Sequence, residues 1–194
     1  MKLKNEIKPF PTSPLATSPA QRLYKAEQSL KIIYTDNYYV DGQYLGPKAT
    51  QNLVDVLLGK GRVGIVGGGR WESAKAYHGN AGEPLLRLPN WARSEYTIIH
   101  EATHWINTFS RREESEDAHG KNFASILLLL VREMLGEKDY KHLLKKYIKY
   151  DVEYYVFTES DIEDIRKTAY PWLNNSQMGM ECDGSTGSEV SPSN

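Results

Sequence analysis

The feature that most constrains this chain is the spacing of two histidines and one glutamate near its middle. His100, Glu101 and His104 form the pattern H-E-x-x-H. On an α-helix, residues four apart lie on one face, so the two imidazoles can reach a single metal ion. Glu101 then stands beside the ion without ligating it, which is what a general base acting on water requires. The pattern therefore predicts a helix that carries part of a metal site.

The residues around the pattern also favour a helix. Pro89 and Asn90 offer a first residue and an N-cap. A polar strip on one side contains both histidines, so they should face something other than plain core. The strip consists of Thr97, His100, Glu101, His104 and Thr108, and the apolar stripe at helical spacing consists of Trp91, Ile98, Ala102, Ile106 and Phe109.

A third histidine completes the candidate site. Fourteen residues separate His104 from His119, which precedes an apolar run over residues 123–131. That run predicts a second buried helix with Gly136 as its C-cap and His119 on its first turn. Three protein ligands with a fourth position open are typical of catalytic rather than structural zinc, so we expect Zn²⁺. Glu133 and Glu137 are alternative third ligands, but both come late, near the predicted helix end.

Composition narrows the class of protein. The chain has 194 residues, a net charge of −1 and 40% hydrophobic residues, which suit one soluble domain without an obligatory nucleic-acid partner. Its single cysteine, Cys182, excludes intrachain disulfides and a multi-thiolate zinc site. The longest apolar run, residues 126–131, is too short to span a bilayer. Because the N-terminus lacks the apolar segment of a secretory signal, we expect a cytoplasmic protein without a membrane partner.

The two ends differ from the middle in composition. Residues 1–19 contain four prolines among serines and threonines and should be a disordered lead-in. Residues 174–194 are rich in Asn, Ser, Gly and Thr without apolar periodicity, which predicts a disordered tail. The folded domain should therefore cover residues 20–173.

Before the motif, the pattern predicts helices followed by a small sheet. Residues 20–33 and 48–58 show apolar positions at helical spacing. Three strand-like pieces at residues 62–66, 73–77 and 84–88 are separated by glycine-rich turns, as in an antiparallel meander. A literal G-x-G-x-x-G begins at Gly59, but it follows a helix and opens a strand, so we interpret it as a turn and not as a nucleotide site.

After the second metal helix, a basic amphipathic helix is expected over residues 137–149. We favour a solvated face for its lysines, and a patch for phosphate or an acidic substrate is the alternative. Residues 151–157 are aromatic and β-prone, so they should form a strand or a cover over the cleft. Residues 160–163 read as a capping box that opens a short last helix.

The metal motif resembles that of the SprT-like group, in which H-E-x-x-H is followed by H-G-x-x-F, here His119, Gly120 and Phe123. The chain is also similar, over roughly residues 20–150, to a small family of metallohydrolases of actinobacteria and their phages. That likeness includes residues 21–27 and 88–93. It implies an α+β, compact zincin-like (minigluzincin or SprT-like) domain with the H-E-x-x-H helix packed on a second helix. His100, His104 and His119 would be the ligands and Glu101 the base.

The function expected from these residues is zinc-dependent hydrolysis of a protein or peptide substrate. One alternative is a non-catalytic binding module that zinc stabilises. Another is a nucleic-acid-associated SprT-like protease, although the near-neutral charge argues against it. Tyr77, Tyr154 and Tyr155 are candidates for the group that stabilises the oxyanion, with no feature that selects among them.

The segment between the second and third histidines is densely charged. Residues 110–117 lack apolar side chains, so we expect an exposed loop that returns the chain to the ion. Asp117 is predicted either to cap the second helix or to accept a hydrogen bond from a ligating imidazole.

Overall fold

The computed structural model describes residues 18–41, 44–69, 72–110, 117–158, 160, 161 and 163, without the side chains of residues 35–41, 109 and 110. The predicted lead-in and tail therefore lie almost entirely outside the described residues. The described chain is α+β, as predicted, with five α-helices and a three-stranded sheet. In chain order the elements are α1 (Pro19–Asp41), α2 (Pro47–Leu58), β1 (Gly64–Val66), β2 (Lys75–His78), β3 (Pro84–Arg87), a 3₁₀ turn (Asn90–Ala92), α3 (Glu95–Ser110), α4 (Lys121–Met134) and α5 (Glu137–Tyr150).

The sheet is mixed, so the predicted all-antiparallel arrangement was wrong. Its strand order is β1-β3-β2. β2 and β3 form an antiparallel hairpin that pairs Ala76 with Leu86, whereas β1 lies parallel to β3 and pairs Ile65 with the same leucine. The chain therefore passes from β1 at one edge of the sheet to β2 at the other edge, and then returns to the middle with β3. β3 runs parallel to β1 and antiparallel to β2. β2 occupies one edge of the sheet.

The helices surround one apolar core. α3 packs against α4 and α2, and α1 packs against α5 and α3. On α1, Leu23, Ala26 and Leu30 are fully buried as predicted, but Ile33 is 40% exposed. None of the helices in the described ranges is long and apolar enough to cross a membrane.

The metal-motif helix begins later than predicted. Asn90 belongs to the 3₁₀ turn, in which the Ala92 N–H donates to the Pro89 carbonyl. The N-cap of α3 is Ser94, whose Oγ accepts the Thr97 N–H at 3.2 Å. The chain turns twice before the helix starts, because the 3₁₀ turn ends at Arg93 and a separate cap follows.

The glycines at the helix ends behave as predicted. Gly136 has φ +95° and donates its N–H to the Val131 carbonyl, which ends α4. Gly59 and Gly61 also have positive φ and form the turn between α2 and β1. The G-x-G-x-x-G match is therefore a turn in its structure, as its position indicated.

Residues 152–158 are neither a strand nor a helix, so the predicted strand was wrong. Instead the segment lies along α4, where the Tyr155 N–H donates to Ser125 Oγ at 2.7 Å. A capping box is present, but two residues earlier than predicted. The Asp161 N–H donates to Thr158 Oγ1 at 3.2 Å and the Thr158 N–H donates to Asp161 Oδ2 at 2.9 Å.

Candidate metal centre

Three histidines meet beside the edge strand β2. His100 and His104 come from one face of α3, and His119 comes from the turn that precedes α4. Each offers one ring nitrogen, and these nitrogens all lie within 4.8 Å of one another. His119 lies just before α4 and not on its first turn, because Gly120 is the N-cap. The structure thus brings together the three residues that the spacing predicted.

The cluster suits a zinc ion. With Zn–N bonds of about 2.0–2.1 Å and tetrahedral angles, two ligand atoms should be about 3.3 Å apart. The nitrogens lie up to 4.8 Å apart, so the rings would have to turn towards the ion to bind it. Three neutral imidazoles are a common ligand set of zinc sites that keep a position open for reaction. The donor set therefore fits the ion that the sequence predicted.

A buried carboxylate from α1 orients the first histidine. Glu27 has no exposed surface, and its Oε1 accepts hydrogen bonds from His100 Nδ1 at 2.7 Å and from the Tyr96 hydroxyl at 2.9 Å. Lys31 Nζ lies 3.8 Å from the other carboxylate oxygen. Because His100 donates through Nδ1, its Nε2 lone pair is available to a metal ion.

The charge of Glu27 is stabilised by these neighbours. Burial alone would raise the pKa of this carboxyl, but His100, Lys31 and the Tyr96 hydroxyl outweigh burial and hold the pKa at about 2. Glu27 is therefore ionised at neutral pH. A carboxylate behind a ligating histidine raises the basicity of the ring and fixes its orientation.

Glu101, the predicted base, is also nearly buried. It is 6% exposed, and its carboxylate accepts a hydrogen bond from the Ala76 backbone N–H on β2. Burial raises the pKa of Glu101, although His100, Lys31 and the Ala76 amide pull it down. A carboxylate with a raised pKa is better suited to accept a proton near neutral pH.

Tyr24 adds a hydroxyl to the centre. Its oxygen lies 3.1 Å from His119 Nε2, and its ring centroid is 5.0 Å from that of His119 and 6.2 Å from that of His100. Burial raises the pKa of the Tyr24 phenol, and Glu27 and Glu101 raise it further. Burial and the neighbouring His100 lower the pKa of His119 to about 4, so His119 is neutral at physiological pH.

Two cavities flank the centre along β2. The larger, about 440 Å³, contains all three histidines and extends to His78 and Trp105. The smaller, about 270 Å³, is lined by Lys31 and Trp91 in addition to residues that it shares with the larger cavity. Both cavities are lined by Tyr24, Ala74, His100 and Glu101. The candidate centre therefore lies in the middle of a groove.

Some roles predicted from the sequence belong to other residues in the structure. α4 has no side-chain cap, and the carboxylate–imidazole hydrogen bond predicted for Asp117 is made instead by Glu27. Asp117 is exposed, and residues 111–116 lie outside the described residues. Glu137 pairs with Arg132 at the start of α5 and is not part of the histidine cluster.

The tyrosines predicted as candidates for the oxyanion-stabilising group lie in different surroundings. Tyr77 lines the larger cavity, but its ring is covered by Lys75 and Arg87. Tyr154 packs against the buried Tyr147. Sequence reasoning missed Tyr24 and Glu27. An indication for Glu27 was present, since this charged residue sits between the buried positions of α1.

We compared the chain with protein-family models, curated proteins and solved structures, and none of the three comparisons found a match. The likeness to SprT-like proteins and to the metallohydrolases of actinobacteria and their phages stays a prediction from the motif.

Proposed function

We propose that this chain is a zinc-dependent metallopeptidase. His100, His104 and His119 would hold the ion, and Glu101 would be the general base. The single observation that carries the proposal is the convergence of three histidines and one nearly buried glutamate in an open groove. When bound, zinc would lower the pKa of water to about 7 and polarise a carbonyl group.

Glu101 would move the proton in the reaction. As the oxygen of water attacks the carbonyl carbon, one water proton passes to the Glu101 carboxylate. The C–N bond then breaks, and the proton passes from Glu101 to the leaving nitrogen. The raised pKa of Glu101 supports both transfers, because a group that titrates closer to neutrality can accept and return a proton.

The edge strand favours a peptide over a small molecule as substrate. The Ala76 N–H points away from β3 because it donates to Glu101. In an antiparallel pair, alternate residues share that orientation, so the backbone of His78 also faces the groove. An extended peptide could add to this edge by backbone hydrogen bonds, and the two cavities would receive its side chains on either side of Glu101.

Glu101→Gln is the direct test. We expect this variant to keep one zinc ion per chain and, with zinc in excess, to lose about 100-fold to 10,000-fold in cleavage rate on a panel of fluorogenic peptides. Glu95→Gln, on the first turn of the same helix and outside both cavities, is the matched control and should keep activity. If the parent binds zinc but cleaves no peptide in the panel, the non-catalytic binding module replaces the enzyme.

A further inference from the structure

Peptide hydrolysis in this groove needs a hydrogen-bond donor besides the metal. The carbonyl oxygen gains negative charge as water adds to the carbon. A donor placed about 2.7–3.1 Å from that oxygen stabilises the charge, and removal of one such donor typically costs about 100-fold to 1,000-fold in kcat. The donor must therefore lie beside the open coordination position, on the groove side of the three histidines.

The Tyr24 hydroxyl lies at that place. Its oxygen is 3.1 Å from His119 Nε2. This is close to the separation of about 3.3 Å between two neighbouring ligand atoms of a tetrahedral zinc ion. The hydroxyl is therefore within hydrogen-bonding distance of the histidine cluster that would hold the ion. Tyr24 also lines both cavities, as do His100 and Glu101.

The other polar side chains of the larger cavity are less suited to the role. His78 Nδ1 lies 3.1 Å from the Gly82 carbonyl, which can only accept, so the proton of a neutral His78 is on Nδ1 and its Nε2 cannot donate. Thr108 Oγ1 donates to the His104 carbonyl one turn back. Tyr77 shares a sheet face with Lys75 and Arg87, opposite to the face that buried Leu86 occupies.

The Tyr24 ring is 43% exposed, and its other side faces the residues of the histidine cluster. Its neighbour Leu23 is fully buried in the core, which fixes this turn of α1. The ring contacts His100 and His119, and Lys31 Nζ lies 5.1 Å from its centroid. These neighbours place the hydroxyl beside the histidine cluster, where an oxyanion donor would be needed.

We propose that the Tyr24 hydroxyl donates a hydrogen bond to the carbonyl oxygen of the scissile peptide bond while negative charge develops on that oxygen. This proposal rests on the proposed function, because it needs a metal ion at the three histidines. It goes beyond that function by naming the residue that shares the oxyanion with the ion. It also gives α1 a direct part in the reaction.

The test compares Tyr24→Phe with Tyr34→Phe. Tyr34 is on the same helix, and its hydroxyl donates to Asp139, away from the groove, so the control loses the same atom. Zinc affinity is measured by competition with a chelator, and folding by thermal unfolding. Binding of acetohydroxamate, which places a charged oxygen on the metal, is followed by visible absorption of the cobalt-substituted protein.

We expect Tyr24→Phe to fold and to bind zinc within about threefold of the parent. Acetohydroxamate should bind it about 10-fold or more weakly, because its charged oxygen loses a hydrogen bond from Tyr24. On a cleaved peptide, kcat should fall about 100-fold to 1,000-fold with little change in KM. Tyr34→Phe should match the parent in zinc affinity, acetohydroxamate affinity and kcat, while its unfolding temperature should fall because its hydrogen bond to Asp139 is lost.

Two results would overturn the role of Tyr24. One is equal affinity of the parent and Tyr24→Phe for acetohydroxamate. The other is a phenolate-to-copper absorption band in the copper-loaded parent that Tyr24→Phe lacks, since Tyr24 would then be a ligand and not a donor. If the parent binds zinc but cleaves no peptide, the proposed peptidase fails while the acetohydroxamate comparison still decides on Tyr24. If the parent binds no metal, both proposals fail.

Discussion

Glu27→Gln is the most informative single substitution in this chain outside the histidines. Glutamine has nearly the shape of glutamate, so packing around the buried side chain should survive. Its oxygen can still accept a hydrogen bond from His100, but the negative charge is lost. Its amide group would also lie near Lys31, which is 3.8 Å from the corresponding carboxylate oxygen. The substitution therefore removes the charge of Glu27 while nearly keeping the volume of the side chain.

The expected loss can be bounded from the geometry. Adding the 2.7 Å hydrogen bond, the width of the imidazole and a Zn–N bond of about 2 Å places the carboxylate oxygen about 7 Å from the ion. At an effective dielectric constant of about 20, a unit charge and a divalent ion at that distance attract each other by about 5 kcal/mol. Because glutamine keeps the hydrogen bond to His100, this attraction is an upper bound on the zinc-binding free energy that the substitution removes. Loss of a partner behind a metal ligand typically weakens metal binding about 10-fold to 100-fold, and we expect that range here.

Zinc affinity at neutral pH is measured by competition with a fluorescent chelator. The matched control is Glu153→Gln. Glu153 is half exposed, pairs with Arg22 and Lys121 on the surface, and should change zinc affinity by less than threefold. If Glu27→Gln binds zinc as tightly as the parent, or no more weakly than Glu153→Gln, the reasoning about the buried carboxylate is wrong.

Four further predictions follow from the same geometry. His119→Ala should largely abolish tight zinc binding, measured by elemental analysis, because two imidazoles from one helix are an incomplete site; retention of one zinc per chain would contradict this. Asp117→Ala should keep zinc affinity within about threefold in the same competition assay, because Glu27 makes the hydrogen bond once predicted for Asp117. The pKa of Glu27 falls from 4.5 to about 2 on folding, so the stability it contributes is present above pH 4.5 and lost as the pH falls towards 2. Urea unfolding of the metal-free protein across that range should show a steeper loss for the parent than for Glu27→Gln. A salt-titrated binding assay should find no affinity for single- or double-stranded DNA, and tight salt-dependent binding through the lysines of α5 would favour the nucleic-acid-associated protease.

The local patterns of this chain were enough to locate its helices. Helical spacing placed α2 and α5 within one residue of their observed bounds, but α1 extends eight residues past its predicted end. α3 begins at Glu95, after the predicted N-cap Asn90, and Gly136 follows the C-cap of α4, Leu135. The errors occur where a residue's partner lies elsewhere in the fold. Ile33 and Ile148 continue the apolar stripes of their helices, yet they are 40% and 51% exposed, because within the described part of the chain no element covers them fully. An apolar stripe indicates which face of a helix can be buried. Only the tertiary packing determines how many residues of that face are buried.

The sheet was harder to predict for a related reason. Strand alternation and glycine turns located β2 and β3 within a few residues. The pairing of β1 with β3 requires the chain to skip a position in the sheet. No feature of three- or four-residue strands encodes that choice, because short strands offer few side chains to specify a neighbour. The hairpin was predictable from its turn, and the parallel pair was not.

The residues of the candidate site also fall into two groups: those that local sequence spacing predicts and those whose role depends on tertiary packing. His100, Glu101 and His104 are fixed by helix geometry within five residues, so their spacing was enough to group them. His119 could be added because the residues after it predict a second packed helix. Glu27 is 73 residues from His100 in sequence, and its hydrogen bond depends on how α1 lies across α3. Asp117 was preferred for this role because it is near in sequence to a ligand, and that proximity was misleading.

Helix α1 provides a second face of the centre that sequence reasoning did not reveal. Tyr24, Glu27 and Lys31 are spaced three and four residues apart, so they lie on one side of this helix. All three are at the histidine cluster, where Glu27 bonds His100, Tyr24 reaches His119 and Lys31 is beside the Glu27 carboxylate. Glu101 adds a second buried carboxylate, so these charged side chains sum to −1 and favour a divalent cation. The H-E-x-x-H helix would therefore supply two of the ligands and the base, while α1 would supply the carboxylate that orients His100 and the hydroxyl beside His119.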